Sequence, residues 1–373
     1  MIRFECDYNE GAHERILQRL METNMEQTSG YGTDGHCERA RLLIRQACGN
    51  DDADVHFLVG GTQTNTTVIA SILRPHQGVI AAVSGHIAVH ETGAIEATGH
   101  KVLTVPSLEG KITAVQVKAI YDAHKQESSP EHSVQPGMVY ISQPTEYGTM
   151  YSKAELEELY AVSRACGLPF FIDGARLGYA LASRDCDMTM ADLARMCDVF
   201  YIGGTKIGAL MGEAVVILND ALKRDFRYIM KQKGGLLAKG RLLGIQFETL
   251  FEDGLYLDIS RHAVDMALNI HDTLVLHGVE FLYSSPTNQQ FPILPDSLLV
   301  QLREHYTFTF WEKVDHNRSA VRFCTSWATR QENVDALTRD IVKLLQVKQL
   351  QVQTQDQTEA AETVAELQSA AMV

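Results

Sequence analysis

The sequence has no run of roughly 18 apolar residues, the length a membrane helix needs. Its opening stretch, MIRFECDYNEGAHERI, lacks the apolar core of a secretory signal. Its seven cysteines, Cys6, Cys37, Cys48, Cys166, Cys186, Cys197 and Cys324, are odd in number, scattered, and never in a C-x-x-C pair. That suits a reduced, cytoplasmic protein better than a disulfide scaffold or a zinc site. Basic charge is also short. There are 33 Lys and Arg against 47 Asp and Glu, a net charge of -14. This speaks against nucleic acid or an anionic membrane as the main partner, although a small anion can still find a local basic pocket. Finally, the glycine-rich turn GGTQTN (60–65) is neither a Walker motif nor a G-x-G-x-x-G fingerprint, and it lacks a P-loop lysine, so an ATP or dinucleotide site there has little support.

What is present is an ordinary globular composition, 45% hydrophobic and 21% charged over 373 residues, enough for one large domain or two. The segment 13–24 places Ile16, Leu17, Leu20 and Met21 on one helical face. An irregular loop is expected over 29–36 and an amphipathic helix over 37–49. Short apolar runs at 55–61, 78–83, 100–106, 137–144, 168–173 and 199–204 read as strands, with helices between several of them, such as 153–167. This alternation predicts an α/β fold with a largely parallel sheet. The texture changes near residue 250. A helix over roughly 254–277, strands at 307–314 and 320–327 and a helix over 331–347 predict a smaller α+β domain. The expected boundaries are 1–252, 253–348, and a tail over 349–373 that is helical or disordered and carries no chemistry.

Four short segments carry candidate chemistry. In GGTQTN (60–65), glycines precede a helix start. It reads as a plain strand-to-helix turn or as an anion cradle. In FFIDGARLG (170–178), Asp173 ends a buried strand. It either pairs with Arg176 or caps a helix, or else it holds a proton on a heteroaromatic nitrogen while Arg176 grips a carboxylate bidentately. In SGHIAVHETGA (84–94), His86 and His90 have metal-like spacing but no clear helical context. A histidine stacked on a flat cofactor, or acting as a base, is the sharper reading. In FYIGGTKIGALMGEAVV (200–216), Lys206 sits among Gly203, Gly204, Thr205 and Gly208. It is either a surface turn lysine or a nucleophile with a lowered pKa. Pyridoxal 5'-phosphate requires a phosphate nest, a carboxylate on its pyridine nitrogen and a Schiff-base lysine. The three occur here in order, each after an expected strand.

With those motifs in view, the sequence resembles the low-specificity L-threonine aldolases, within the β-eliminating lyase group of fold-type I pyridoxal-phosphate enzymes. The resemblance covers about 3–345 and rests on FECDYNEGAHERIL, YGTDGHCERA, GGTQTN, HIAVHETGA, ISQPTEYGTMYS, FIDGARLG, GGTKIGALMGEAVV, KGGLLAKGR and VRFCTSWATRQENVDAL. It implies an aspartate-aminotransferase-like large domain with a seven-stranded sheet and a small C-terminal domain. It also implies cleavage of β-hydroxy-α-amino acids, such as L-threonine or L-allo-threonine, to glycine and an aldehyde. Lys206 would be the Schiff-base lysine and Asp173 the partner of the pyridine nitrogen. Gly61 and Thr62 would hold the phosphate, and His86 would stack on the ring. Arg176 and Arg322 would bind the substrate carboxylate. Lys239 would reach a phosphate, across a subunit boundary in a homodimer or homotetramer. Two positions depart from the better-known branch: Cys6 stands where a serine helps bind the carboxylate, and Glu146 where a histidine overlies the site. The base that takes the β-hydroxyl proton stays open among His86, Glu146 and a water.

Rival readings share these residues. A β-eliminating lyase acting on cysteine, serine or an aromatic amino acid would use the same cofactor contacts. A non-catalytic pyridoxal-phosphate or sugar-phosphate binder would leave Lys206 dispensable. Tyr31 and Asp34 read as loop residues or as contributors to a neighbouring subunit's site, His90 and Glu91 as local pairs, Trp327 as core, and Asn288 and Gln289 as turn residues.

Overall fold

The computed structural model describes residues 1–347, so the tail expected over 349–373 lies outside the described residues. The chain opens with a two-residue strand, β1 (Ile2–Arg3). Seven strands then form the main sheet: β2 (Asp54–Leu58), β3 (Gln77–Ala82), β4 (Val102–Val105), β5 (Gln135–Ser142), β6 (Phe170–Asp173), β7 (Val199–Gly203) and β8 (Glu213–Ile217). Their order is β2-β8-β7-β6-β5-β3-β4. Only β8 runs against the others. These strands are short apolar runs because the sheet is covered on both faces. Alternate residues of one strand enter opposite cores. Val139 and Ile141 of β5 pack on one side, and Met138 and Tyr140 on the other.

Helices cover both faces. Helices α1 (Gly35–Cys48), α3 (Lys153–Cys166) and α4 (Arg241–Phe251) lie on the first face, and α2 (Gly61–Ile72) lies on the second. Local sequence sets the ends. Ser152 and Glu155 form a capping box at the start of α3, and Gly167 ends it in the left-handed conformation.

Beyond these, helix α5 (Leu255–Leu276) leads to a second, smaller set of strands: β9 (Gln289–Gln290), β10 (Ile293–Pro295), β11 (Tyr306–Thr307), β12 (Thr309–Lys313) and β13 (Arg318–Cys324). Strand β13 is central, antiparallel to β10, β12 and β9. Strand β1 pairs in parallel with β11, and Phe4 enters the core built by this sheet and α5. The first residues of the chain therefore pack with residues some three hundred positions later. A last helix covers 331–347.

Three expectations need correction. Strand β8 was not among the expected strands, because EAVVI follows directly on the glycine-rich lysine loop. The strand expected over 307–314 is broken between β11 and β12. The helix expected over 13–24 spans Glu14–Glu22 and buries a narrower stripe. Ile16 is buried and Leu20 packs on the core, but Leu17 and Met21 stay 44% and 79% exposed. Among the described residues, no helix is long and apolar enough to cross a membrane.

Candidate active site

The carboxyl ends of β2, β3, β5, β6 and β7 point to one edge of the sheet, where their loops line a cavity open to solvent. Gly61 and Thr62 reach it from the start of α2, His86 from after β3, Glu146 from after β5, Asp173 and Arg176 from the end of β6, and Lys206 from after β7. Seven of the residues singled out in the sequence thus line one space. Cys6, Arg322 and Lys239 do not line it.

The lysine loop is short because β7 and β8 are adjacent and antiparallel. The N–H groups of Gly204 and Thr205 both donate to the Gly212 carbonyl, at 2.9 and 3.1 Å. The turn is tight enough that a Cβ at Gly204 would lie 2.7 Å from that oxygen. Tyr179 donates its hydroxyl to the Lys206 carbonyl at 2.5 Å, pinning the backbone. Burial, and then the charge of Arg176, push the Lys206 amine below the usual lysine range, against the pull of Asp7, Glu213 and Asp173. Among the described residues, no side-chain hydrogen bond holds the amine.

Asp173 is buried but does not pair with Arg176. Its Oδ2 accepts from the Tyr140 hydroxyl at 2.6 Å and from Asn65 Nδ2 at 3.1 Å, and its Oδ1 accepts from the Ala175 N–H at 3.0 Å. Arg176 does grip a carboxylate bidentately, but that carboxylate belongs to Asp7. Nε donates at 2.6 Å and Nη2 at 3.0 Å. Asn288 adds a third donor to Asp7 at 3.0 Å. Burial alone would raise the Asp7 carboxyl; the charges of Arg176 and Lys206 and these hydrogen bonds hold it below the carboxylate range.

His86 begins a four-residue helix, His86–Val89, the helical context that the sequence reading lacked. Its backbone N–H donates to Glu146 Oε1 at 2.8 Å, and the Ser142 hydroxyl donates to the same oxygen at 2.7 Å. Its ring Nδ1 lies 2.8 Å from Glu91 Oε1. Burial lowers the imidazole pKa, but the Glu91 hydrogen bond and the charges of Asp173 and Glu91 outweigh it, and the net direction is up. Burial and the Asp173 charge also raise the Glu146 carboxyl, against its hydrogen bonds and the charge of His86. The rings of His86 and His90 stand 5.5 Å apart, and no cluster of metal-ligating side chains occurs among the described residues.

The remaining residues singled out in the sequence lie outside the cavity. Arg322 stacks over Trp311 at 5.7 Å and donates to Gln289 Oε1 at 3.1 Å and to the Glu5 carbonyl at 3.0 Å. Cys6 is half-buried and donates to Asn9. Lys239 is exposed, beside the Ala238 carbonyl that accepts the Tyr31 N–H. Asp34 serves as the side-chain cap of α1.

Several site residues escaped the sequence reading. Asp7 lies in a quoted motif of which only Cys6 was singled out. Asn65, Tyr140 and Ser142 are polar groups set on or beside buried elements. Glu213 opens β8 and accepts from the Gly204 N–H at 3.1 Å; burial pushes its carboxyl up to about 7. A charged residue heading an apolar strand, EAVVI, was the available signal.

The donor set suits pyridoxal 5'-phosphate. The N–H groups of Gly61, Thr62 and Gln63 find no acceptor among the described residues, and α2 has no side-chain cap. A Cβ at Gly61 would sit 3.2 Å from the Tyr201 hydroxyl, a tight contact that the glycine avoids. The free N–H groups of Gly61 and Thr62, the Lys206 amine and the buried Asp173 carboxylate line one cavity, as the phosphate, aldehyde and pyridine nitrogen require.

Comparisons with known proteins agree with this geometry. The family model described as beta-eliminating lyase matches residues 8–367. The chain is 30% identical to a low specificity L-threonine aldolase of a Pseudomonas species over 346 residues, covering 91% of this chain and 96% of the relative. A solved threonine aldolase structure from Leishmania major superposes with a TM-score of 0.90 at 44% identity, covering 92% of this chain and 100% of that one. The histidinol-phosphate aminotransferase of Clostridium acetobutylicum superposes with a TM-score of 0.71 at 12% identity, covering 93% and 99%. That last likeness concerns the fold alone.

Proposed function

The chain belongs to the beta-eliminating lyase family, and from that premise we propose that it cleaves L-threonine and related β-hydroxy-α-amino acids to glycine and an aldehyde. It is a pyridoxal-phosphate-dependent lyase. The observation that carries the reading is the meeting of the buried Lys206 amine, its pKa lowered, and the buried Asp173 carboxylate in one cavity.

When bound, pyridoxal 5'-phosphate supplies an aldehyde that condenses with an amine and a ring that takes up an electron pair. The chain's residues do the rest in this reading. The free N–H groups at the start of α2, with Thr62, hold the phosphate. Lys206, whose amine burial and the Arg176 charge push below the usual lysine range, is the amine that would condense with that aldehyde. Asp173, fixed by Tyr140, Asn65 and the Ala175 N–H, keeps a proton on the ring nitrogen. His86 covers the ring. Arg176 is held by Asp7, which leaves Nη1 as its nitrogen free of that pair; with Arg322 it orients the substrate carboxylate. Glu146 has Oε1 committed to two donors and Oε2 free, and it takes the β-hydroxyl proton. We place Lys239 and the loop bearing Tyr31 at a second copy's site, in a homodimer or homotetramer, since both are exposed away from this cavity.

The test is product analysis with pyridoxal 5'-phosphate and L-threonine. Glycine and acetaldehyde are expected, with a visible absorbance band that Lys206→Ala removes. Pyruvate and ammonia from serine or cysteine, without glycine from threonine, would move the reading to β-elimination. No band after adding the cofactor would leave a binding protein without this chemistry.

A further inference from the structure

Beneath the cavity lies a run of buried polar side chains to which the reading above gives no part beyond the support of Asp173. Glu91, whose side chain is fully buried, accepts at a single oxygen, Oε1, from two neighbours: His86 Nδ1 at 2.8 Å and Asn65 Nδ2 at 2.7 Å. Asn65, also fully buried, donates from the same nitrogen to Asp173 Oδ2 at 3.1 Å. Among the described residues, Glu91 Oε2 and Asn65 Oδ1 have no partner. Four side chains are thus linked in a line, His86–Glu91–Asn65–Asp173, and the two end groups line the cavity.

We propose that Glu91 and Asn65 are positioning residues for the active site. Glu91 holds the proton of His86 on Nδ1, which turns Nε2 toward the cavity, and Asn65 holds Glu91 in register with Asp173. The inference rests on the cavity being the catalytic site proposed above.

The physical argument has three parts. An ionised carboxylate only accepts hydrogen bonds, so the nitrogen facing it must carry the proton. With no donor on Oε2, the pull of Glu91 falls on Nδ1–H and the Asn65 amide alone. An uncharged amide with two N–H groups can bridge two buried carboxylates without neutralising either, which a lysine or arginine could not do. The same arrangement, a carboxylate fixing an imidazole tautomer, recurs wherever one ring nitrogen must be kept free for chemistry. The charged and titratable groups that bear on His86 are Glu91 and Asp173, which favour its protonated form, and Lys206 and His90, which oppose it, with Glu146 at its backbone N–H.

The test follows the His86 ring by NMR on histidine-labelled full-length protein, assigned with His86→Gln, without and with pyridoxal 5'-phosphate. In the wild-type protein the Nδ1–H tautomer is expected, with a raised titration midpoint. Glu91→Gln should lower the midpoint and mix the tautomers, and should reduce kcat on the order of tenfold or more at little changed KM. Asn65→Ala keeps the charge and should leave the midpoint raised while loosening the tautomer preference. Should Glu91→Gln not fold, Glu91→Asp, which withdraws the carboxylate by one carbon, must lower the midpoint. A folded Glu91 variant with midpoint and tautomer unchanged overturns the proposal, even if its melting temperature drops, because a purely structural role predicts that pattern. The titration needs no turnover, so a protein that makes no glycine from threonine would fail the functional reading and still decide this one.

Discussion

Arg176 closes a bidentate ion pair on Asp7, binding the N-terminal segment to the loop after β6. Asp7 is fully buried and the Arg176 side chain only 14% exposed. Removing one partner strands the other charge away from water. Asp7→Asn should therefore destabilise the fold by about 3–5 kcal/mol, read by urea or thermal unfolding. A loss below about 1 kcal/mol, the range of a surface pair, would contradict the geometry. The pH dependence has a definite sign. The folded pKa of Asp7 lies below its unfolded value, so its contribution is complete above about pH 4 and is lost as pH falls through the folded value. The variant should lack that acid limb.

Glu146 is the residue whose chemistry departs most from the histidine that its position resembles. Glu146→Gln keeps the acceptor for the His86 N–H and the Ser142 hydroxyl but cannot take a proton. Turnover should fall roughly 10²–10⁴-fold with the cofactor's absorbance unchanged. Because burial raises the Glu146 pKa, the wild-type rate should climb with pH through a midpoint above the usual carboxylate range, and steady-state kinetics across pH reads this directly.

Glu213 predicts the opposite pH behaviour to Asp7. Its folded pKa, about 7, exceeds the unfolded value, so the unfolded state releases its proton first. Stability is lost as pH rises from about 4.5 toward 7, by an amount on the order of 3 kcal/mol. Glu213→Gln retains an acceptor for the Gly204 N–H and removes the titration. Chemical denaturation at pH 5 and pH 8 should show a smaller difference in the variant than in the wild type.

Gly174, between Asp173 and Arg176, has no room for a side chain. A Cβ there would stand 2.0 Å from the Tyr201 carbonyl oxygen, a backbone atom that cannot swing aside. Gly174→Ala should cost about 3 kcal/mol or more and shift both functional neighbours. Circular dichroism melting and cofactor affinity report the two effects separately; a variant as stable as wild type would refute the packing argument.

The sheet was legible because its strands are brief apolar runs bounded by glycine, and that signal survives without any partner in view. The narrow stripe of Glu14–Glu22 was not, because Ile16 and Leu20 look no different in sequence from Leu17 and Met21; only the shape of the surface beneath selects among them. In the site, Lys206 and Asp173 announced themselves by ending strands amid glycines. Asn65 and Tyr140 did not, since their function depends on facing Asp173 from elements 108 and 33 residues away. Arg176 grips the Asp7 carboxylate bidentately, a pairing that nothing local to Arg176 in the sequence points to.

The pairing of β1 with β11 has a consequence for biogenesis. The strand partners of Ile2 and Arg3, Tyr306 and Thr307, are synthesised some three hundred residues after them. At ordinary translation speeds of about 5–20 residues per second, that is a delay of roughly 15–60 s. During that interval Asp7 lacks the anchored segment that presents it to Arg176. The main sheet can assemble on the ribosome, while the candidate site must wait for β11 to tie down β1.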